Sequence, residues 1–351
     1  MKTKKTVLSA LLFRFSFIVY RSPVFVFLFT IPVFGQNFYS QNPLAHTYSI
    51  VARDTITGEM GIAVQSHWFS VGSVVSWAEA GVGAIATQSL TNISFGPKGL
   101  EMLKQGMNAQ EAVDNLIAED EGRDYRQLAI VDAGGNVAAF TGKKCIPDAG
   151  HITGDNFSVQ ANLMVNKKVW PAMEKAYSNS QSPLAERMIE ALAAAQKEGG
   201  DIRGQQSASI LIVKGESPDK VWEDKLIDLR VEDHPDPVNE LKRLLKVHRA
   251  YEHMNKGDLA IEKEDFELAM KEYSAAEEMF PENLEMKYWH AVTLASIGKV
   301  DEALPLFKEV FSKDENLPDS KASWRTLTPR LVPIGILTVD EDDLNKIISV
   351  K

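Results

Sequence analysis

The chain has 351 residues, 44% of them apolar, and a formal net charge of −10. That length allows one large domain or two smaller ones, and the acidic balance argues against nonspecific capture of nucleic acid or of an anionic membrane surface. The lone cysteine, Cys145, excludes an internal disulfide and any C-x-x-C metal or redox pair.

The N-terminus opens with Lys2, Lys4 and Lys5, followed by apolar sequence interrupted at Arg14 and at Arg21–Pro23. The run "PVFVFLFTIPVFG" (23–35) ends in the small residue Gly35, and residues 1–35 read as a signal peptide. The expected location is then periplasmic or extracellular, with a membrane anchor formed by an uncleaved N-terminus as the alternative. Residues 36–46 are polar and turn-rich, a linker or propeptide. Strand character begins at Thr47: "TYSIVARD" and "GEMGIAVQS" are apolar runs joined by a turn at Gly58. Two shorter apolar runs lie in 70–88, around Gly81 and Gly83. Helices are predicted over 96–106 and 108–120, the second with Asn108 as N-cap and Glu111 completing a capping box. Residues 126–142 read as a hairpin turning at 132–136, and 156–165 as a strand. Amphipathic helices over 166–179 and 183–198 precede buried strands at 206–215 and 225–234.

This order predicts an α+β fold with packed sheets and segregated helices, not regular βαβ alternation. After "HPDPV" (234–238) long helices take over. "FELAMKEYSAAEEMFPEN" (266–283) aligns with "VDEALPLFKEVFSKDEN" (300–316) at an offset of 34, with Ala269 on Ala303 and Tyr273 on Phe307. That period resembles tetratricopeptide repeats. The expected organisation is a first domain over 47–233, helical repeats over 239–316 and a cap segment over 317–351. Two repeats are too few to stand alone, so they should pack on the first domain or on a protein partner.

Several stretches resemble the domain of unknown function 1028 family. They are "TYSIVARD" (47–54), "GIAVQS" (61–66), "VGSVVSWAEAGVGAIATQSLTN" (71–92), "FGPKGLEML" (95–103), "GRDYRQLAIVD" (122–132), "TGKKCIPDAGHITGDNFSVQANLM" (141–164), "PLAERMIEAL" (183–192) and "GGDIRGQQSASILIV" (199–213). The resemblance implies a four-layer αββα sandwich like that of N-terminal-nucleophile hydrolases. It implies that Thr47, at the start of the first strand, is the nucleophile, with its own α-amine as base. An α-amine has a pKa near 8, low enough to accept a proton near neutrality. The bond between His46 and Thr47 must first be cut.

The implied reaction is hydrolysis of an amide bond in a small molecule or peptide. Asn92 and Gln88 are candidate oxyanion donors; Asn92 otherwise caps a helix. His151, in a glycine-flanked loop, is a candidate acid or base. Asp201 and Arg203 are candidates to orient Thr47, or else a structural pair. Gln65 and Ser66 stand on the second strand where an acid would be expected. With Gln160 and Asn162 on one strand face, Gln206, Ser207 and Arg126, they are candidate substrate-binding residues. Arg126 would clamp a carboxylate, or bridge Asp120 or Asp124. No glycine-rich dinucleotide fingerprint follows the first strand and no histidine has metal-binding spacing, so neither cofactor nor metal is expected. The rival reading is a ligand-binding or scaffold protein that uses a polar cleft and the repeats. Exposed sheet edges would also permit a homodimer.

Overall fold

The computed structural model describes residues 45–218, 220–314 and 323–351. The expected signal peptide, most of the 36–46 segment and the start of the cap segment lie outside them. The strands are Thr47–Arg53 (β1), Met60–Ser66 (β2), Ser76–Glu79 (β3), Gly83–Ser89 (β4), Arg126–Asp132 (β5), Val137–Thr141 (β6), Gly150–Gly154 (β7), Phe157–Ala161 (β8), Ser207–Val213 (β9) and Lys225–Val231 (β10). The helices of the same region are Gly72–Val75 (α1), Phe95–Lys104 (α2), Ala109–Ala118 (α3), Val169–Asn179 (α4) and Leu184–Lys197 (α5). Then follow Pro237–Glu262 (α6), Phe266–Met279 (α7), Leu284–Ser296 (α8), Val300–Asp314 (α9), Trp324–Leu331 (α10) and Glu341–Ser349 (α11).

Two sheets form, ordered β10-β9-β2-β1-β8-β7 and β3-β4-β5-β6. Every strand pair is antiparallel. Side-chain alternation along β1 decides the layering. Tyr48, Ile50 and Ala52 point into a core shared with α4, α5 and the first half of α6. Val51 points the other way, with Ile62 and Val64 of β2, onto Ala84, Ala86, Ala129 and Val131 of the second sheet. The far face of that sheet, Ile85, Leu128 and Ile130, is covered by α2 and α3. The layers therefore run helix, sheet, sheet, helix.

Local chemistry explains how the outer helices are held. Asn108 accepts from the backbone of Gln110 and Glu111, and Glu111 returns a bond to the Asn108 N–H, so the capping box forms. Gly96 lets α2 lie on the Trp77 ring, because a Cβ there would stand 2.2 Å from it. At the C-terminal end, α6 pairs with α7 and α8 with α9. Ala269, Ala303, Tyr273 and Phe307, the residues that the 34-residue offset superposes, are all buried. α6 bridges two cores: Val238, Leu241 and Leu245 pack on the first sheet, whereas Ala250, Met254 and Ala260 pack with α7. Among the described residues, no helix is long and apolar enough to cross a membrane.

Candidate functional site

β1 starts at the end of the sheets where β2, β4 and β8 finish and β5 and β9 begin. The peptide bond between His46 and Thr47 lies there. Thr47 has no exposed surface, and His46 is 5% exposed. The His46 carbonyl accepts two hydrogen bonds, from Ser66 Oγ at 2.6 Å and from Arg203 Nη2 at 2.8 Å. Arg203 is aimed by Asp201, which accepts from its Nε at 3.0 Å and its Nη2 at 2.6 Å. Asp201 is itself buried and takes the backbone N–H groups of Arg203 and His67. This forked pair fixes the guanidinium plane.

On the other side of the bond, the Thr47 carbonyl accepts from the Asn162 backbone N–H at 3.0 Å. It also accepts from Asn162 Nδ2 at 3.4 Å and Gln88 Nε2 at 3.5 Å. One residue upstream, the Ala45 carbonyl accepts from the Ser89 N–H at 2.9 Å. Thr47 Oγ1, in contrast, is buried with no hydrogen-bond partner among the described residues. An unpaired buried hydroxyl costs about 1–3 kcal/mol. Two non-glycine residues in the left-handed region flank the site, Ser89 (φ 76°) and Leu163 (φ 60°). Each such residue costs about 1–3 kcal/mol, and strain of this kind gathers at functional sites.

Between the sheets runs a chain of buried polar side chains with a single direction. Ser158 Oγ donates to Gln160 Oε1, Gln160 Nε2 to Ser49 Oγ, and Ser49 Oγ to Gln88 Oε1. Gln88 Nε2 donates to Gln127 Oε1, and Gln127 Nε2 to Thr141 Oγ1, which is in turn hydrogen-bonded to His151 Nδ1 at 2.8 Å. A branch joins at Gln127 Oε1, which also accepts from Asn162 Nδ2. Asn162 therefore turns its oxygen toward His46, 2.8 Å from Nδ1. The orientation of Asn162 places a proton on His46 Nδ1. Burial pushes His46 below the usual imidazole value; the Asn162 bond and Asp201 oppose that shift, and the Arg203 charge adds to it. Burial alone lowers His151.

Of the residues singled out from the sequence, Thr47, Ser66, Gln88, Gln160, Asn162, Asp201 and Arg203 meet in this cluster. His151 joins only through Thr141 and Gln127, and it lies on the edge strand β7, not in a loop. The glycines at 150 and 154 suggest a turn, yet Gly150 is there because the Trp170 ring leaves no room for a Cβ. Five residues lie elsewhere. Gln65 pairs across from Tyr48, so it faces the helices on the opposite side of the sheet. Asn92 accepts from the Ser94 N–H and hydroxyl at the start of α2. Arg126 is bound to Asp120 at 2.7 Å and to the Leu90 carbonyl, the bridge to Asp120 and not a free clamp. Burial raises the Asp120 carboxyl, but Arg126 and the Gly122 N–H outweigh it and hold the group below the usual range. Ser207 holds the Trp68 carbonyl and the Val71 N–H, and Gln206 reaches Asp233. Ser49, Gln127 and Thr141 were not foreseen. Ser49 has a signal, since it shares with Thr47 one face of a strand whose residues are almost all buried, whereas Gln127 and Thr141 stand alone among apolar residues on their strand faces. Among the described residues no group of His, Cys, Asp and Glu could hold a metal ion.

The family model described as a family of unknown function (DUF1028) matches residues 47–241. The match begins on Thr47 and ends inside α6, within the half that packs on the first sheet. A crystal structure of a protein from Silicibacter pomeroyi, assigned to the same family model, is similar at 31% identity and a TM-score of 0.53. That similarity covers 57% of this chain and 85% of that one. No curated protein matches the chain. The family model spans more than half of the 351 residues, and the chain belongs to this family of unknown function, DUF1028.

Proposed function

We propose that the protein is an exported amide hydrolase of the N-terminal-nucleophile type, and that it releases its own nucleophile by cutting the bond between His46 and Thr47. The observation that carries this reading is the treatment of one peptide bond. Its carbonyl is held by two donors, Ser66 Oγ and Arg203 Nη2, while the hydroxyl of the next residue is kept unpaired. Two donors on a carbonyl oxygen stabilise the negative charge that develops when its carbon is attacked.

In self-cleavage Thr47 Oγ1 attacks the His46 carbonyl carbon. The oxygen–carbon bond forms, the bond from that carbon to the Thr47 nitrogen breaks, and the hydroxyl proton ends on that nitrogen. Water then adds to the ester, restores the hydroxyl and releases the carboxylic acid at His46. The free α-amine is the base for later turnovers, since its pKa near 8 suits proton transfer at neutral pH. Signal-peptide removal near Gly35 would leave 36–46 in place, so this second cut is what exposes the amine. Two helix pairs with a 34-residue period support a tetratricopeptide-like identity for 239–316 and a role in holding a protein partner.

Amide hydrolysis by the processed protein tests the reading. Thr47→Ser should keep activity and Thr47→Ala should abolish it while the chain stays folded; hydrolysis surviving in Thr47→Ala would overturn it. A second reading, a ligand-binding or scaffold protein, is favoured by a cavity of about 490 Å³ between α5 and α6. Glu186, Ile189, Lys242, Lys246 and Arg249 are among the residues lining it.

A further inference from the structure

Self-cleavage passes through an ester in which the acyl group ending in His46 sits on Thr47 Oγ1, and that ester is hydrolysed in place. An outside amide that acylates Thr47 makes the same kind of ester on the same atom. Thr47 Oγ1 attacks its carbonyl carbon, the carbon–nitrogen bond breaks, and the amine leaves with the hydroxyl proton, relayed through the α-amine of Thr47. Water then returns the hydroxyl and frees the acid. The contacts made to residues 45 and 46 are therefore the contacts offered to a substrate's acyl group.

Resting on the hydrolase reading above, we infer that the substrates are N-acylated amino-acid amides, short peptides included. The residue that supplies the reacting carbonyl carries an N–H-bearing side chain, an imidazole or a carboxamide, and follows a small residue. Three sets of atoms specify this class. The reacting carbonyl meets Ser66 Oγ and Arg203 Nη2. The amide carbonyl one residue earlier meets the Ser89 N–H. The side chain meets Asn162 Oδ1, which accepts from His46 Nδ1 at 2.8 Å.

Asn162 cannot turn over to offer its nitrogen, because Nδ2 is committed to Gln127 Oε1, and Gln127 Nε2 is in turn committed to Thr141 and to the carbonyls of Gly150 and Ala161. Asn162 is wholly buried. A hydrocarbon side chain in place of the imidazole would leave its oxygen without a donor and away from water, and a site built to hydrogen-bond rejects an analogue lacking the group. Ala45 lies wholly buried in the cluster between the sheets, which explains the preference for a small preceding residue.

The test uses the full chain after self-cleavage, separated from its leader fragment, with acetyl-Ala-His-p-nitroanilide and acetyl-Ala-Leu-p-nitroanilide as probes. The expected kcat/KM for the histidine probe is at least about tenfold that for the leucine probe. In Asn162→Leu this ratio should fall toward one. Should that variant fail to fold, His46→Leu in the full chain is the second measure, and its self-cleavage should slow by about the same factor. Equal rates for the two probes, a preference for leucine, or unslowed cleavage of His46→Leu would overturn the inference and leave the hydrolase reading standing. A chain that stays whole at His46–Thr47, or one with free Thr47 that hydrolyses neither probe, would instead remove the hydrolase reading and this inference with it.

Discussion

At Thr47 and its neighbours, the structure separates groups that hold a carbonyl from groups that merely fill a polar core. Ser66 and Arg203 belong to the first kind. Removing one oxyanion donor typically costs about 10²–10³ in rate, so Ser66→Ala should slow self-cleavage by roughly 10²-fold, read as intact mass against time. The tightly bonded Asp201 makes Arg203→Lys no conservative change, because a lysine cannot keep the fork and still reach the His46 carbonyl. The two histidines give a pH prediction for the uncleaved Thr47→Ala chain. His46 and His151 both have native pKa values below the ordinary imidazole value, so below about 6.5 the unfolded chain binds more protons than the native one. Stability present above that pH should fall as pH drops, measured as a declining denaturation midpoint. His151→Gln, which can keep a hydrogen bond to Thr141, should flatten the decline; an unchanged slope would contradict the lowering of the His151 pKa by burial.

Among the elements, α3 is the simplest to read from sequence and β7 the hardest. Asn108 and Glu111 announce α3 because a capping box is a local interaction three residues apart. Asn108→Ala should cost about 1 kcal/mol in chemical denaturation and leave self-cleavage untouched, since the helix lies on the outer face of the second sheet. β7 has no such local signal. Its five residues pair only with β8, and the packing of Trp170 on Gly150 joins parts of the chain 20 positions apart. The candidate site divides in the same way. Gln160 and Asn162 could be read as a pair because they share a strand face. Arg126 could not be separated from Asp120 without knowing which way the turn after α3 brings them together. Gln65 shows how one position matters: a shift of a single residue along β2 exchanges the face of the helices for the face of the second sheet. His46 was read only as a block on Thr47, and its own role in the site emerges from the direction of the amide network.

In the molecule as a whole, α6 ties the C-terminal helices to the two sheets. Leu241 belongs to the core of the first sheet, while Met254, further along the same helix, belongs to the core shared with α7. Leu241→Ala should therefore cost about 2–5 kcal/mol in global stability, and a chain ended after Lys263 should keep the sandwich folded, whereas one ended after Asp236 should not. Circular dichroism melts of the two truncations would distinguish them. The match to the family model, which stops at residue 241, follows the same division. The central claim concerns one bond, between His46 and Thr47. Intact mass spectrometry of the purified protein, followed over time at neutral pH, tests it most directly. The account predicts accumulation of a chain that begins at Thr47 from wild type and none from Thr47→Ala. A wild-type chain that retains His46 at every time point would contradict it.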